Sequence, residues 1–210
     1  AMLAAADHHL TLVDGKTITP SSKYSMSDFS SWGVTPDLRL KPEVSAPGGS
    51  IYSAVLDGKY DHLSGTSMAT PQMAGVSAVV LQRVQSDPLF ASMSAREKVD
   101  VVQNLIMGTA RPLADVAQTT GAFYSPRKQG SGLVDAVAAT TSSVYPTVVG
   151  AAEQSRPKAD LGDGTTGWHF EVTLHNLSDT PATYELSSQA LSENVDGGYF
   201  TGSSTDWRGK

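Results

Sequence analysis

Cysteine is missing from all 210 residues. That absence removes disulfides, thiolate metal sites and cysteine nucleophiles together, without assigning a compartment. An excess of positive charge is missing too. Fifteen Lys and Arg stand against 21 Asp and Glu, a net of −6, whereas nucleic-acid binding needs a basic footprint. No apolar run approaches 18 residues, so no transmembrane segment is expected. Residues 1–6 are apolar but carry no basic leader and stop at Asp7, unlike a signal peptide.

What is there reads as globular. A 40% hydrophobic and 17% charged composition excludes a disordered tail. Nineteen glycines and eleven prolines make the chain turn-rich without a collagen-like period. Charge divides it near residue 145, with 11 basic and 12 acidic side chains before that point and 4 and 9 after it. The shift predicts two units with different surfaces. No internal repeat accompanies it.

Residues 10–13 and 17–19 read as short strands around an Asp14-Gly15 turn. Between Ser25 and Leu63, glycines and prolines leave room only for short strands such as 50–56. From Ser67 to about Gln85 apolar residues fall on nearly every face, which predicts a helix buried among other elements. Pro71 is tolerable near its start. Gly75 inside it costs about 1 kcal/mol relative to Ala and suggests a close backbone crossing. Ser94-Ala95-Arg96-Glu97 is a capping box. It is followed by Val99, Val102 and Ile106 on one face, with Lys98, Asp100, Gln103 and Asn104 outward. A short helix is expected over 132–140. Beyond Ser143 the period changes to strand alternation, with Phe170, Val172 and Leu174 on one face of 169–175. Residues 183–186 are expected to pair with it across 176–181. A β-sandwich needs about 100 residues; the roughly 65 that remain predict a partial one.

Gly65-Thr66-Ser67-Met68-Ala69-Thr70-Pro71-Gln72-Met73-Ala74-Gly75 carries the most chemistry. It sets a serine at a loop-to-helix junction, where backbone N–H groups face an approaching anion. Gly65, without a Cβ, permits close approach. Such a serine can attack a carbonyl while its own N–H stabilises the oxyanion. The competing reading is a serine that merely caps a core helix.

The eleven-residue pattern resembles the serine motif of the subtilisin family of serine peptidases, at Gly65, Thr66, Ser67, Met68, Ala69, Pro71, Ala74 and Gly75. Phe29-Ser30-Ser31-Trp32-Gly33 and Leu40-Lys41-Pro42-Glu43-Val44-Ser45-Ala46-Pro47-Gly48 resemble the segment before the serine in the lactocepin and C5a-peptidase group of cell-envelope subtilases. Tyr124-Ser125-Pro126-Arg127-Lys128-Gln129-Gly130, with Gly132, Val134, Asp135 and Ala136, is similar to the end of their peptidase domain. The acidic tail around 170–176 is similar to the start of a fibronectin-III-like module.

The resemblance implies an α/β fold, the C-terminal half of a three-layer subtilase domain with a mostly parallel sheet. An all-β, fibronectin-III-like partial sandwich follows. Residues 1–24 would follow a protease-associated insert, 25–145 would be the C-terminal part of the catalytic domain, and 146–210 the partial β domain. Ser67 would be the nucleophile, with Gly65, Thr66 and Met68 assisting at the oxyanion site. Met68 beside it would make the assembled site sensitive to peroxide, since sulfoxide adds bulk and polarity.

The triad histidine and aspartate have no motif here, nor has the asparagine that donates a second oxyanion hydrogen bond in the family. Substitutes were sought among the five histidines. His8 and His9 lack the family's His-Gly-Thr-His context, His62 matches a variable surface position, and His169 and His175 fall in the β module. Each reads as a surface or packing residue. The isolated chain is therefore expected to be inactive, its partners being a protein or peptide substrate and the missing N-terminal half of the peptidase domain. The family implies a secreted or wall-attached bacterial endopeptidase.

Other motifs carry less. Ser155-Arg156-Pro157-Lys158 has the Ser-x-x-Lys spacing of penicillin-recognising enzymes, but Pro157 disfavours the helix that chemistry needs. Asp160-Leu161-Gly162-Asp163-Gly164 is a calcium candidate that lacks the twelve-residue loop pattern and reads better as a turn. Asn176-Leu177-Ser178 is a glycosylation sequon, relevant only to a eukaryotic secretory route. No metal site or cofactor is expected. Two rival readings remain: a non-catalytic scaffold or adhesion module with a relic serine motif, and an interaction partner with an exposed apolar edge.

Overall fold

The computed structural model describes residues 24–117, 122–149, 156–159, 161, 167, 169–188, 191–196 and 199–204, with two short strands at 10–11 and 17–18. Those strands, β1 (Leu10–Thr11) and β2 (Thr17–Ile18), pair antiparallel with Leu10 opposite Ile18. The expected Asp14-Gly15 turn lies outside the described residues. β3 (Ile51–Ala54) and β4 (Tyr60–Leu63) form an antiparallel hairpin and lead into α1 (Thr66–Ser86). α2 (Ala95–Thr109) and the one-turn α3 (Pro126–Gln129) follow. Next come α4 (Ala136–Thr141), β5 (Val144–Val149), β6 (Glu171–Asn176), β7 (Ser192–Asp196) and β8 (Tyr199–Ser204).

The core lies where α1, α2 and α4 meet β5. Val80 and Val84 of α1 pack with Phe90, with Val101, Val102, Leu105 and Ile106 of α2, and with Ala139 and Tyr145. α2 starts as its capping box requires: Glu97 N–H donates to the Ser94 hydroxyl, and Ser94 N–H donates to the Glu97 carboxylate. Its inward face differs from the expected one. Val99 is exposed, while Asn104 is buried, because Val101, Val102 and Leu105 carry the contact with α1 and turn the helix. Arg83 clamps α4 by donating to the carbonyls of Ala139 (3.1 Å) and Ser142 (2.6 Å), a favourable place for a cation at a helix C-terminus.

Two expectations about α1 are corrected. It is not buried on all sides: Pro71, Ala74, Gly75, Ala78, Gln82 and Gln85 are exposed. Among the described residues no backbone crosses at Gly75, where an added Cβ would meet nothing within 4 Å.

The mostly parallel sheet is corrected too. Each of the four two-stranded sheets among the described residues is antiparallel. Parallel pairing is confined to the isolated bridge between Ser45 and Leu133. Parallel strands need long crossover connections, and among the described residues the 42–48 segment forms no strand ladder with a neighbour.

In the C-terminal part, β6 pairs with β5 over six residues, and residues 183–186 form no strand. Asn176 explains why. Its Oδ1 accepts from Ser178 N–H and hydroxyl, and its Nδ2 donates to Thr180 carbonyl, so the chain turns locally instead of forming a hairpin. The face that turns inward is Thr173 and His175, while Phe170, Val172 and Leu174 are exposed. β5 straddles residue 145 and carries buried Tyr145 and Val148. Tyr145 belongs to the buried cluster formed with α1, α2 and α4.

Candidate active site

α1 begins at a junction its sequence prepares. Gly65 is the N-cap, Thr66 the first helical residue and Ser67 the second. The first-turn N–H groups of an α-helix have no helical carbonyl to meet, which leaves the Ser67 N–H facing outward from the helix start. Met68 N–H returns to the Gly65 carbonyl at 3.0 Å. Ser67 and Thr66 are exposed and Met68 is half-buried. The Ser67 hydroxyl makes no hydrogen bond among the described residues.

The 45–49 segment holds the junction in place. Gly65 N–H donates to Gly48 carbonyl at 2.8 Å. Gln72, one turn into α1, donates to Pro47 carbonyl at 2.8 Å. Ser45 N–H donates to Gly132 carbonyl and Val134 N–H to Ser45 carbonyl, both at 2.8 Å. Behind this lies buried Gln129, whose amide donates to Tyr124 carbonyl and whose Oε1 accepts from Leu113 N–H. Sequence reading missed Gln72 and Gln129. No local pattern marks either, because Gln72 reaches back 25 residues to Pro47 and Gln129 bridges the backbone of Leu113 and Tyr124.

A cavity of about 550 Å³ opens beside the junction. Thr66, Ala69 and Met73 of α1 form one wall, and Phe29, Val44 and Pro47 stand opposite. Ser67 projects elsewhere. Ser67, Pro71, Ala74, Ala78, Gln82 and Gln85 recur at three- and four-residue steps, which places them on one side of the helix. All are exposed. The nucleophile candidate thus shares its side of α1 with an exposed strip that is small at Pro71, Ala74 and Ala78 and polar at Gln82 and Gln85.

Among the described residues no histidine is hydrogen-bonded to that serine. His62 Nδ1 lies 3.1 Å from the Ser50 carbonyl oxygen and 3.2 Å from its hydroxyl. His175 stacks on Tyr145 with ring centroids 4.5 Å apart, and its Nε2 lies 2.8 Å from the Thr147 hydroxyl. His169 is exposed. His8 and His9 lie outside the described residues.

Lys158 and Arg156 of the Ser-x-x-Lys motif are spent elsewhere. Both reach Glu43, at 3.2 and 2.6 Å, while Ser155 lies outside the described residues. Lys41 also pairs with Glu43. Burial pushes the Glu43 carboxyl up, but hydrogen bonds from Lys41 and Lys158, with their charges, outweigh it and hold the carboxyl below its ordinary value. Asp160 and Asp163 lie outside the described residues. Among the described residues no group of three His, Cys, Asp or Glu is placed to hold a metal ion, and no helix is long and apolar enough to cross a membrane.

The family model described as the subtilase family matches residues 8–132. The chain is 34% identical over 185 residues to a C5a peptidase of Streptococcus pyogenes, covering 88% of this chain and 15% of that protein. It is also 34% identical over 194 residues to the PII-type and PI-type proteinases of Lactococcus lactis subsp. cremoris, covering 88% of this chain and 10% of those proteins. The chain therefore spans about a seventh or less of the length of these relatives.

Proposed function

Because the chain belongs to the subtilase family, a family of serine peptidases, we propose that it carries the nucleophile half of an extracellular serine endopeptidase, with Ser67 as the attacking group. The observation that carries this reading is the exposed Ser67 at the start of α1, on the same side as the bare strip through Ala74 and Ala78. A free serine hydroxyl is a weak nucleophile and needs an adjacent base. The bare side is where a polypeptide segment bearing the histidine and its orienting aspartate would dock. The open space at Gly75 accommodates such a close approach.

In the assembled site Ser67 Oγ attacks the scissile carbonyl carbon as the histidine takes its proton. The Ser67 N–H, assisted by Thr66, donates to the oxyanion. Collapse breaks the C–N bond, the proton passes to the leaving amine, and an ester remains on Ser67. Water then attacks that ester by the reverse proton route and releases the acid. Gly65 keeps the approach open, and Met68 packs beside the loop. The chain alone, with no imidazole bonded to Ser67 among the described residues, has little activity.

The antiparallel pairs β5–β6 and β7–β8, with the exposed apolar face of β6, support an incomplete fibronectin-III-like sandwich over 146–210. The named streptococcal and lactococcal relatives support a secreted or wall-attached bacterial protein that cleaves protein or peptide substrates. The test is fluorophosphonate labelling of the full-length gene product with peptide mapping. One adduct on Ser67, lost in Ser67→Ala, is expected; an adduct elsewhere, or none, overturns the assignment.

A further inference from the structure

Immediately ahead of the nucleophile loop, three rings share one face of a hairpin. The register sets Tyr52 opposite His62 and Ala54 opposite Tyr60, and strand alternation puts these four side chains on the same face. The Tyr52 ring lies 4.9 Å from His62 and 5.7 Å from Tyr60, within the range of aromatic pairs. None belongs to the hydrophobic core. Tyr60 is 63% and Tyr52 41% exposed. Ser53 and Asp61 pair with each other on the opposite face, so the ring face carries no carboxylate or ammonium group of either strand.

The imidazole is held in place. Its Nδ1 lies within hydrogen-bond distance of both the Ser50 carbonyl and the Ser50 hydroxyl, and Nε2 has no hydrogen bond among the described residues. The hairpin is fastened to the nucleophile loop at its base, where Ser50 N–H donates to the Ser64 hydroxyl at 2.8 Å and Gly65 N–H to Gly48 carbonyl. Ser67 is four Cα steps beyond Leu63, a span of at most about 14 Å.

The ring face is exposed and outside the core among the described residues, so it is surface open to a partner. We propose that the Tyr52–Tyr60–His62 face is a specificity surface that receives an apolar or aromatic side chain of the polypeptide substrate, a few residues from the cleaved bond. This rests on Ser67 being the nucleophile. The occupant follows from continuity. A substrate strand whose carbonyl sits at Ser67 covers about 3.3 Å per residue, so about four residues match the span back to Leu63.

The experiment uses the full-length gene product and a peptide set in which each position within five residues of the cut bond is Gly or Phe. The wild type is expected to prefer Phe at one position. Tyr60→Ala and Tyr52→Ala are expected to cut that preference about tenfold, through KM, while Tyr60→Phe retains it and Ser67 still takes fluorophosphonate. A flat wild-type profile overturns the proposal, as does equal loss on Gly and Phe peptides, or Tyr60→Ala changing only the oligomeric state. Absence of labelling in the wild type overturns the nucleophile reading itself, and this proposal with it.

Discussion

The carbonyl of Gly48 accepts the backbone N–H of Gly65 at 2.8 Å, and a methyl group added to Gly48 would fall 2.7 Å from the Gly65 carbonyl oxygen. Two glycines thus set the spacing between the 45–49 segment and the loop that presents Ser67. Backbone atoms on the far side leave no flexible neighbour to yield. Gly48→Ala is expected to destabilise the chain by about 1–3 kcal/mol and to slow Ser67 labelling in the full-length gene product. Thermal melting and labelling rates check both effects. An unchanged melting temperature would show that the loop shifts freely.

Gly75 separates intrinsic helix stability from docking. With nothing within 4 Å of an added Cβ, Gly75→Ala should stabilise the 210-residue chain by about 1 kcal/mol, a rise of roughly 2–4 °C in Tm. A larger side chain on the same bare side should obstruct the partner segment. Gly75→Leu in the full-length gene product is therefore expected to slow Ser67 labelling at least about tenfold. Wild-type labelling would place the docking surface elsewhere.

Glu43 binds segments distant in sequence, with Lys41, Arg156 and Lys158 around one carboxylate. Its folded-state pKa is lowered from 4.5. Such a carboxyl contributes stability that is fully present above the unfolded value and is lost as pH falls through the folded one. Glu43→Gln should lower stability by about 1–3 kcal/mol at pH 7 and flatten the acid side of the stability profile below about pH 5. Melting curves from pH 3 to 7 read this. Parallel profiles for the two proteins would contradict it.

The Met68 sulfur lies 3.8 Å from where a Cβ on Gly65 would stand, next to the nucleophile loop. Oxidation to sulfoxide adds an oxygen there. Peroxide should slow peptide hydrolysis by the full-length gene product in step with a one-oxygen mass gain at Met68. Met68→Ala should resist. Equal sensitivity in the two proteins would remove Met68 from the site.

What was legible in the sequence was local. The Ser94–Glu97 capping box and the start of α1 beside Gly65 depend on neighbours within four residues, and both formed as expected. Non-local features were not legible. Nothing near Glu43 announces cations 113 and 115 residues away, and nothing near Gln72 announces Pro47. The expected pairing of 183–186 with β6 failed because apolar alternation does not say which strand is the partner, and the Asn176 turn diverts the chain. The expected burial of α1 failed differently. Its composition is that of a helix covered on every side, but one side has no cover among the described residues. Around the candidate site, the exposed place of Ser67 at the start of α1 was legible from its motif, whereas the support of that junction by Gly48, Gln72 and Gln129 was not.

The central claim is that Ser67 is an intact nucleophile whose activating groups come from outside these 210 residues. Intact-mass analysis after fluorophosphonate treatment, run in parallel on this chain and on the full-length gene product, tests it most directly. An adduct is expected on Ser67 in the full-length protein and none on the 210-residue chain. Stoichiometric labelling of the chain alone would contradict it, and His62 would then be the first base to replace.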